Sequence, residues 1–188
     1  ETGNWIVFNG GRTGVIAGAS IPPRRGSAAA RETPQLTILL QTADGGVTWQ
    51  ASTASMFGRV SRVVFGGGRG LMLIRFGRGM DFPSEVFAMD GAGGQIRRAF
   101  RRADCAVTDV AFLTSGTALL VGVDAAAKGD RQLLPSAVRV LSSDDLREWK
   151  EMEVEGPCSA HSVVLSVVDP GCAWLATDTG VILRLERR

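Results

Sequence analysis

The sequence predicts an all-β chain arranged as a β-propeller of about four blades, or as part of a larger propeller, on three observations. Twenty-four glycines punctuate the 188 residues. Val, Ile and Leu gather between them in runs of about 4 to 8 residues, the length of short strands joined by tight turns. A unit of apolar strand, glycine turn and second apolar strand recurs four times.

The first unit runs from Trp5-Ile6-Val7-Phe8 through Gly14 to Val15-Ile16-Ala17, and the second from Val63-Val64-Phe65 through Gly70 to Leu71-Met72-Leu73. The third runs from Val110-Ala111-Phe112 through Gly116 to Ala118-Leu119-Leu120-Val121, and the fourth from Val164 to Val168 through Gly171 to Ala173-Trp174-Leu175. The marker glycines stand 56, 46 and 55 residues apart. A period near 50 with several strands per unit is what propeller blades produce, because each sheet buries its faces only against its neighbours. A third strand is expected in each unit, at Leu36 to Leu40, Glu85 to Met89, Ala137 to Leu141 and Val181 to Leu185. The expected blades of this single domain are residues 4–56, 57–104, 105–156 and 157–188. The best helical stretch, Ala125 to Gln132, is short and contains a glycine, so no long helix is expected.

A hydrophobic content of 45% with 21% charge is ordinary for a globular domain. The longest apolar runs, such as Ala118 to Val123, fall far short of the roughly 20 residues of a membrane-spanning helix, so membrane insertion is not expected. The net charge of +2 conceals an asymmetry: residues 57–103 carry nine arginines against three acids, and residues 104–188 carry 13 acids against eight bases. A basic middle and an acidic end suit an interaction surface.

Thr42-Ala43-Asp44-Gly45-Gly46-Val47-Thr48-Trp49 suits a hairpin between third and fourth strands. An aspartate accepts backbone N–H bonds two residues on, glycine supplies positive φ, and tryptophan clamps the turn to its blade. Ser142-Ser143-Asp144-Asp145-Leu146-Arg147-Glu148-Trp149 reads as a worn copy, with Ser142, Asp144 and Trp149 at matching spacing and Leu146 where glycine is expected. The second blade keeps Asp90 with Gly91, Gly93 and Gly94. These segments resemble the Asp-box, or bacterial neuraminidase, repeat of Ser/Thr-x-Asp-x-Gly-x-Thr-Trp, with Thr42, Asp44, Gly46 and Trp49 as its structural residues. The stretch from Cys172 to Leu183 is similar to the second and third strands of the photosystem II stability/assembly factor-like branch of these propellers. That resemblance implies a non-catalytic, exported or lumenal assembly factor, and it transfers a fold more securely than a partner.

The fourth blade lacks residues for an outermost strand, so the expectation includes a fragment of a larger propeller or completion by another chain across the exposed edge.

Asp boxes are frequent in sialidases, which use a Tyr nucleophile and an early Arg-Ile-Pro motif. The chain has no Tyr and no Arg-Ile-Pro, so sialidase activity is not expected. Paired carboxylates for another glycosidase would come from Asp44, Asp109, Asp144 or Asp178, but Asp44 and Asp144 are assigned to outer hairpins. His161, with Cys158 and Cys172, lacks the fourth ligand and the spacing of a metal site. No metal or cofactor is expected. Cys105 and Cys158 occupy similar junctions entering adjacent blades and are the candidates for a cross-blade disulfide. Phe65 to Gly70 precedes a strand and lacks Gly-Lys-Ser/Thr, so it is a turn and not a phosphate loop.

The loops between second and third strands share a face with the blade-to-blade connections. They carry Arg24, Arg25 and Arg31 in the first blade, Arg78 and Phe82 in the second, and Lys128 and Arg131 in the third. Such a rim suits an acidic protein surface or peptide. Arg97, Arg98, Arg101 and Arg102 fall on or after the second blade's outer strand, without the aromatic interleaving of a nucleic-acid reader. The expected function is a protein-binding scaffold or assembly factor that is not an enzyme. The alternatives are a carbohydrate-binding or glycoside-hydrolysing propeller, and a fragment completed by a second chain. Glu1-Thr2-Gly3 reads as a vector remnant of a removed secretion signal, which adds an exported location to the expectation.

Overall fold

The computed structural model describes residues 5–19, 37–52, 58–76, 80–91, 95–125, 134–156 and 158–186. The helical candidate at Ala125 to Gln132 falls largely outside them. The described residues form sixteen β-strands in four antiparallel sheets.

Blade one orders β1 (Trp5–Asn9), β2 (Thr13–Ala19), β3 (Thr37–Thr42) and β4 (Gln50–Ser52) side by side. Blade two repeats this with β5 (Arg59–Gly66), β6 (Arg69–Arg75), β7 (Ser84–Asp90) and β8 (Ile96–Phe100). Blade three uses β9 (Cys105–Phe112), β10 (Ala118–Asp124), β11 (Ser136–Ser143) and β12 (Lys150–Met152), with β13 (Ser159–Ala160) also paired to β11. Blade four is three-stranded among the described residues: β14 (Val163–Asp169), β15 (Cys172–Thr177) and β16 (Ile182–Glu186).

The first strands approach one another in succession, β1 to β5, β5 to β9 and β9 to β14, so the sheets radiate from a hub in the manner of a β-propeller. Register defines equivalent positions. Phe8, Phe65 and Phe112 stand opposite Gly14, Gly70 and Ala118, and Val167 stands opposite Ala173. The marker glycines are therefore not all equivalent: Gly116 lies in the turn with φ +90°.

Three apolar layers lie between the blades. Val15, Ala17 and Leu39 of blade one meet Val63, Met72 and Ile74 of blade two. Leu71, Leu73 and Val86 meet Val110, Leu120 and Leu141 of blade three. Leu119, Val121 and Val140 then meet Val163, Leu165 and Leu175 of blade four. Blade three is covered on both faces, which is why β10, Ala-Leu-Leu-Val-Gly-Val-Asp, is apolar without alternation. Burial alternates along β14 and β15, where one face is covered. Gly122 of β10 has no room for a side chain, since a Cβ there would stand 2.4 Å from the Ala106 carbonyl oxygen.

Candidate functional site

The hub is lined by the first strands, two of which carry a bulge at matching positions. Pairing with the second strand slips between Val60 and Arg62 in blade two and between Val121 and Gly122 in blade three, leaving Ser61 and Thr108 as extra residues. A bulge bends its strand and re-aims the next side chain. Thr108 makes use of this position: its hydroxyl donates to the Val163 carbonyl at 2.7 Å and accepts the Val163 amide at 3.2 Å, which ties blade three to blade four.

The residues that follow the bulges, Arg62 and Asp109, are equivalent by register, and Trp5 is their counterpart in β1. The Arg62 guanidinium lies 5.9 Å from the Trp5 ring centroid on one side. On the other, its Nε stands 3.3 Å from Asp109 Oδ1. Asp109 is buried and accepts the amides of Val110 (Oδ1, 2.9 Å) and Leu165 (Oδ2, 2.9 Å). One level of the hub thus links four blades through Trp5, Arg62, Asp109 and Leu165. The Arg62 side chain is 39% exposed, and among the described residues no hydrogen bond leaves its guanidinium. A multi-donor cation is held in place on the wall, its Nε buried toward Asp109 and its side chain part exposed.

The sequence singled out Asp109 only as one of several carboxylates and did not select Trp5 or Arg62. The signal was present: a charged residue three positions before a marker phenylalanine, inside an apolar first strand, occurs in two consecutive blades.

The two hairpins read from sequence as Asp boxes lie at the far ends of the third strands. In blade one the Thr42 hydroxyl donates to Asp44 at 2.7 Å and accepts the Gly46 amide at 2.9 Å. Asp44 accepts the Thr48 hydroxyl and amide, and Trp49 Nε1 donates to the Gly46 carbonyl at 3.0 Å. The Thr48 hydroxyl and amide, followed by the Thr42 hydroxyl, hold the Asp44 carboxyl well below the usual carboxylate range.

Blade three corrects the expected register. Ser143, not Ser142, accepts the Leu146 amide at 2.9 Å, and Asp145, not Asp144, accepts the amides of Arg147 (2.8 Å) and Glu148 (2.9 Å). Pairing sets Ser143 opposite Ala118 as Thr42 is set opposite Gly14, so this hairpin is one residue shorter before Trp149. Leu146 takes the positive φ, +60°, that glycine supplies in blade one. Asp144 serves a different contact, accepting the Thr117 hydroxyl at 2.7 Å. In blade two Asp90 ends β7 opposite Arg69, and Gly93 and Gly94 lie outside the described residues.

The amides of Arg147 and Glu148 lower the Asp145 carboxyl to about 2 from an ordinary 3.8. A folded value below the unfolded one stabilises the hairpin above about pH 4, and that contribution is lost as pH falls through about 2. The Arg147 and Glu148 amide resonances are expected to titrate near pH 2. A midpoint at the ordinary carboxylate value would show that Asp145 does not cap this turn.

Five arginines of blade two, Arg69, Arg97, Arg98, Arg101 and Arg102, have partners. Arg97 donates to the carbonyls of Leu146 (3.0 Å) and Asp145 (3.4 Å), and Arg69 to those of Asp144 (2.7 Å) and Gly116 (2.6 Å). Both seat blade three's hairpin on blade two. Arg98 and Arg101 pair with Glu85, and Arg101 stacks 4.2 Å from the Phe82 ring centroid. Arg102 pairs with Asp104 at 2.6 Å and reaches Glu151. Arg24, Arg25, Arg31, Arg78, Lys128 and Arg131 lie outside the described residues.

The disulfide candidate is corrected: Cys105 and Cys158 are free, buried thiols. Cys105 belongs to the layer between blades two and three, and Cys158 to the layer between blades three and four, so the sheet of blade three separates them. Burial pushes the Cys105 thiol up to about 11. His161 Nδ1 lies 3.2 Å from Asp178 Oδ2, and Asp178 also accepts the His161 and Ser162 amides. The His161 amide is the main cause that lowers the Asp178 carboxyl. Asp44, Asp109, Asp145 and Asp178 thus each hold backbone amides.

The sequence matches no protein-family model and no curated protein. Among solved structures it is similar to the α-L-arabinofuranosidase Arb93A of Fusarium graminearum, at 11% identity and a TM-score of 0.49 over 93% of this chain and 60% of that one. It is similar to Zg3597, a family 117 glycoside hydrolase of Zobellia galactanivorans, at 14% identity and a TM-score of 0.47 over 96% and 67%. A third is the Synechocystis apocarotenoid oxygenase, at 12% identity and a TM-score of 0.45 over 93% and 46%. The chain thus spans about 60% of the arabinofuranosidase and less than half of the oxygenase. The expectation that the chain is not an enzyme is corrected to an open one: these three similar structures are two glycoside hydrolases and an oxygenase, at identities that show the fold alone. The coarse assignment, a β-propeller, stands.

Proposed function

We propose that the chain takes carbohydrate at the hub, as the binding wall of a glycoside-acting propeller. The observation that carries this reading is Arg62, fixed between the Trp5 ring and the buried Asp109 carboxylate while its guanidinium makes no hydrogen bond among the described residues. A sugar ring offers an apolar C–H face and pairs of hydroxyl acceptors. Half-buried Trp5 suits the first, and the planar donor fork of Arg62 suits the second. Asp109 is a positioning residue, because both its oxygens are engaged by Arg62 and two amides. An exported location fits this substrate class.

The test is a panel of neutral and acidic oligosaccharides for binding, with chromogenic aryl glycosides for turnover. Binding is expected, weakened about tenfold or more by Arg62→Ala through loss of charge-assisted hydrogen bonds, and unchanged by Arg98→Ala. A chain that binds and cleaves none of the panel, or whose binding ignores Arg62, overturns the reading.

A further inference from the structure

Most of the exposed large apolar side chains of the described residues gather on two surfaces. Ile6, Phe8 and Ile38 lie on the side of blade one turned away from blade two, and Val164, Val168, Trp174 and Ile182 on the side of blade four turned away from blade three. Exposure is large: 63% for Ile6 and Val168, 69% for Ile182. Such contiguous apolar faces mark interaction sites.

The repeat identifies what kind of surface fits each face. By register Ile6 is equivalent to Val63 and Val110, and Phe8 to Phe65 and Phe112; Val63, Val110 and Phe112 are buried against the preceding blade. Trp174 and Ala176 are equivalent to Leu119 and Val121, which are buried to 1% and 0% exposure in the layer shared with blade four. The open face of blade one is therefore a receiving face for a preceding blade, and that of blade four a receiving face for a following one. These are the two complementary halves of one interblade layer, and both belong to the same molecule.

We propose that two copies of the chain associate head to tail, blade four of each docking on blade one of the other, into a closed two-fold ring of eight blades. The contact continues the layers already formed between blades one to four, with Trp174 filling the Leu119 position and Ile6 and Phe8 facing it. Each copy supplies the surface that the other lacks. A heterologous contact repeated once by a two-fold axis closes the ring and leaves neither face in water. The Arg184–Glu186 ion pair, at 2.7 Å on β16, forms a charged rim to the contact.

Sedimentation equilibrium of the purified chain tests this. The expected mass is about twice that of the 19.9 kDa chain. Trp174→Glu and Ile6→Glu, both at exposed positions, are each expected to give monomers whose cooperative thermal unfolding shows an intact fold. Mixing the two variants is expected to restore a dimer, since the blade four face of the Ile6→Glu copy and the blade one face of the Trp174→Glu copy remain intact. A monomeric parent overturns the proposal. So does a dimer that only one substitution disrupts, which signals like-with-like pairing, or an open-ended polymer.

Discussion

Asp109→Ala is expected to destabilise the fold by about 3 to 5 kcal/mol, read as a shift of the urea midpoint. The carboxylate satisfies two buried amides, Val110 N and Leu165 N, and faces the Arg62 guanidinium. Alanine leaves both amides without an acceptor in a dry layer, at about 1 to 3 kcal/mol each. The loss falls on the junction between blades three and four, where Asp109 and Thr108 are the side chains that reach across to the backbone of β14. Arg62→Ala is expected to cost less, about 1 kcal/mol, because its side chain is part exposed and water replaces its partner. Under the proposed function the pair separates stability from binding, with Asp109 carrying the first and Arg62 the second. An Asp109→Ala chain within about 0.5 kcal/mol of the parent would show that the carboxylate is not the latch.

The repeat was legible because strand alternation and turn glycines are local. The third strand expected at Glu85 to Met89 lies within Ser84–Asp90, and that at Ala137 to Leu141 within Ser136–Ser143. The hairpin of blade one was legible for the same reason, since the side-chain hydrogen bonds of Thr42, Asp44, Thr48 and Trp49 are made within eight residues. Blade three was misread by one residue because Ser142-Ser143 and Asp144-Asp145 are doublets, which offer two registers with the same Ser-to-Asp spacing. Matching Trp149 to the longer hairpin of blade one selected the wrong one. Sheet pairing at Ser143 and the left-handed Leu146 settle it, and neither is visible in a motif. The hub residues were missed for a different reason. Trp5, Arg62 and Asp109 are about 50 residues apart and meet only because successive first strands converge, so their relation belongs to the ring and not to any segment. The disulfide candidate failed on the same ground, since a sheet that lies between two cysteines cannot be read from their spacing.

Trp49 and Trp149, which close the two hairpins, are expected to differ in cost although their motifs look alike. Trp149 donates from Nε1 to the Ala99 carbonyl of blade two at 2.9 Å, and its ring meets Phe100 edge-on with centroids 5.9 Å apart. It packs against the layer between blades two and three. Trp49 turns its Nε1 to Gly46 in its own hairpin and meets Phe8 of its own blade at 6.0 Å. Trp149→Ala therefore removes an interblade clamp, and is expected to cost about 3 kcal/mol through lost packing and an unpaired carbonyl. Trp49→Ala loosens one turn, at about 1 kcal/mol. Trp149→Phe keeps the aromatic contact while deleting the donor, and is expected to fall between them. Urea unfolding of the three variants decides the matter. Equal costs for Trp49→Ala and Trp149→Ala would mean that the motif stabilises only its own hairpin, whereas the expected order makes the third blade's hairpin the peg that locks it to the second.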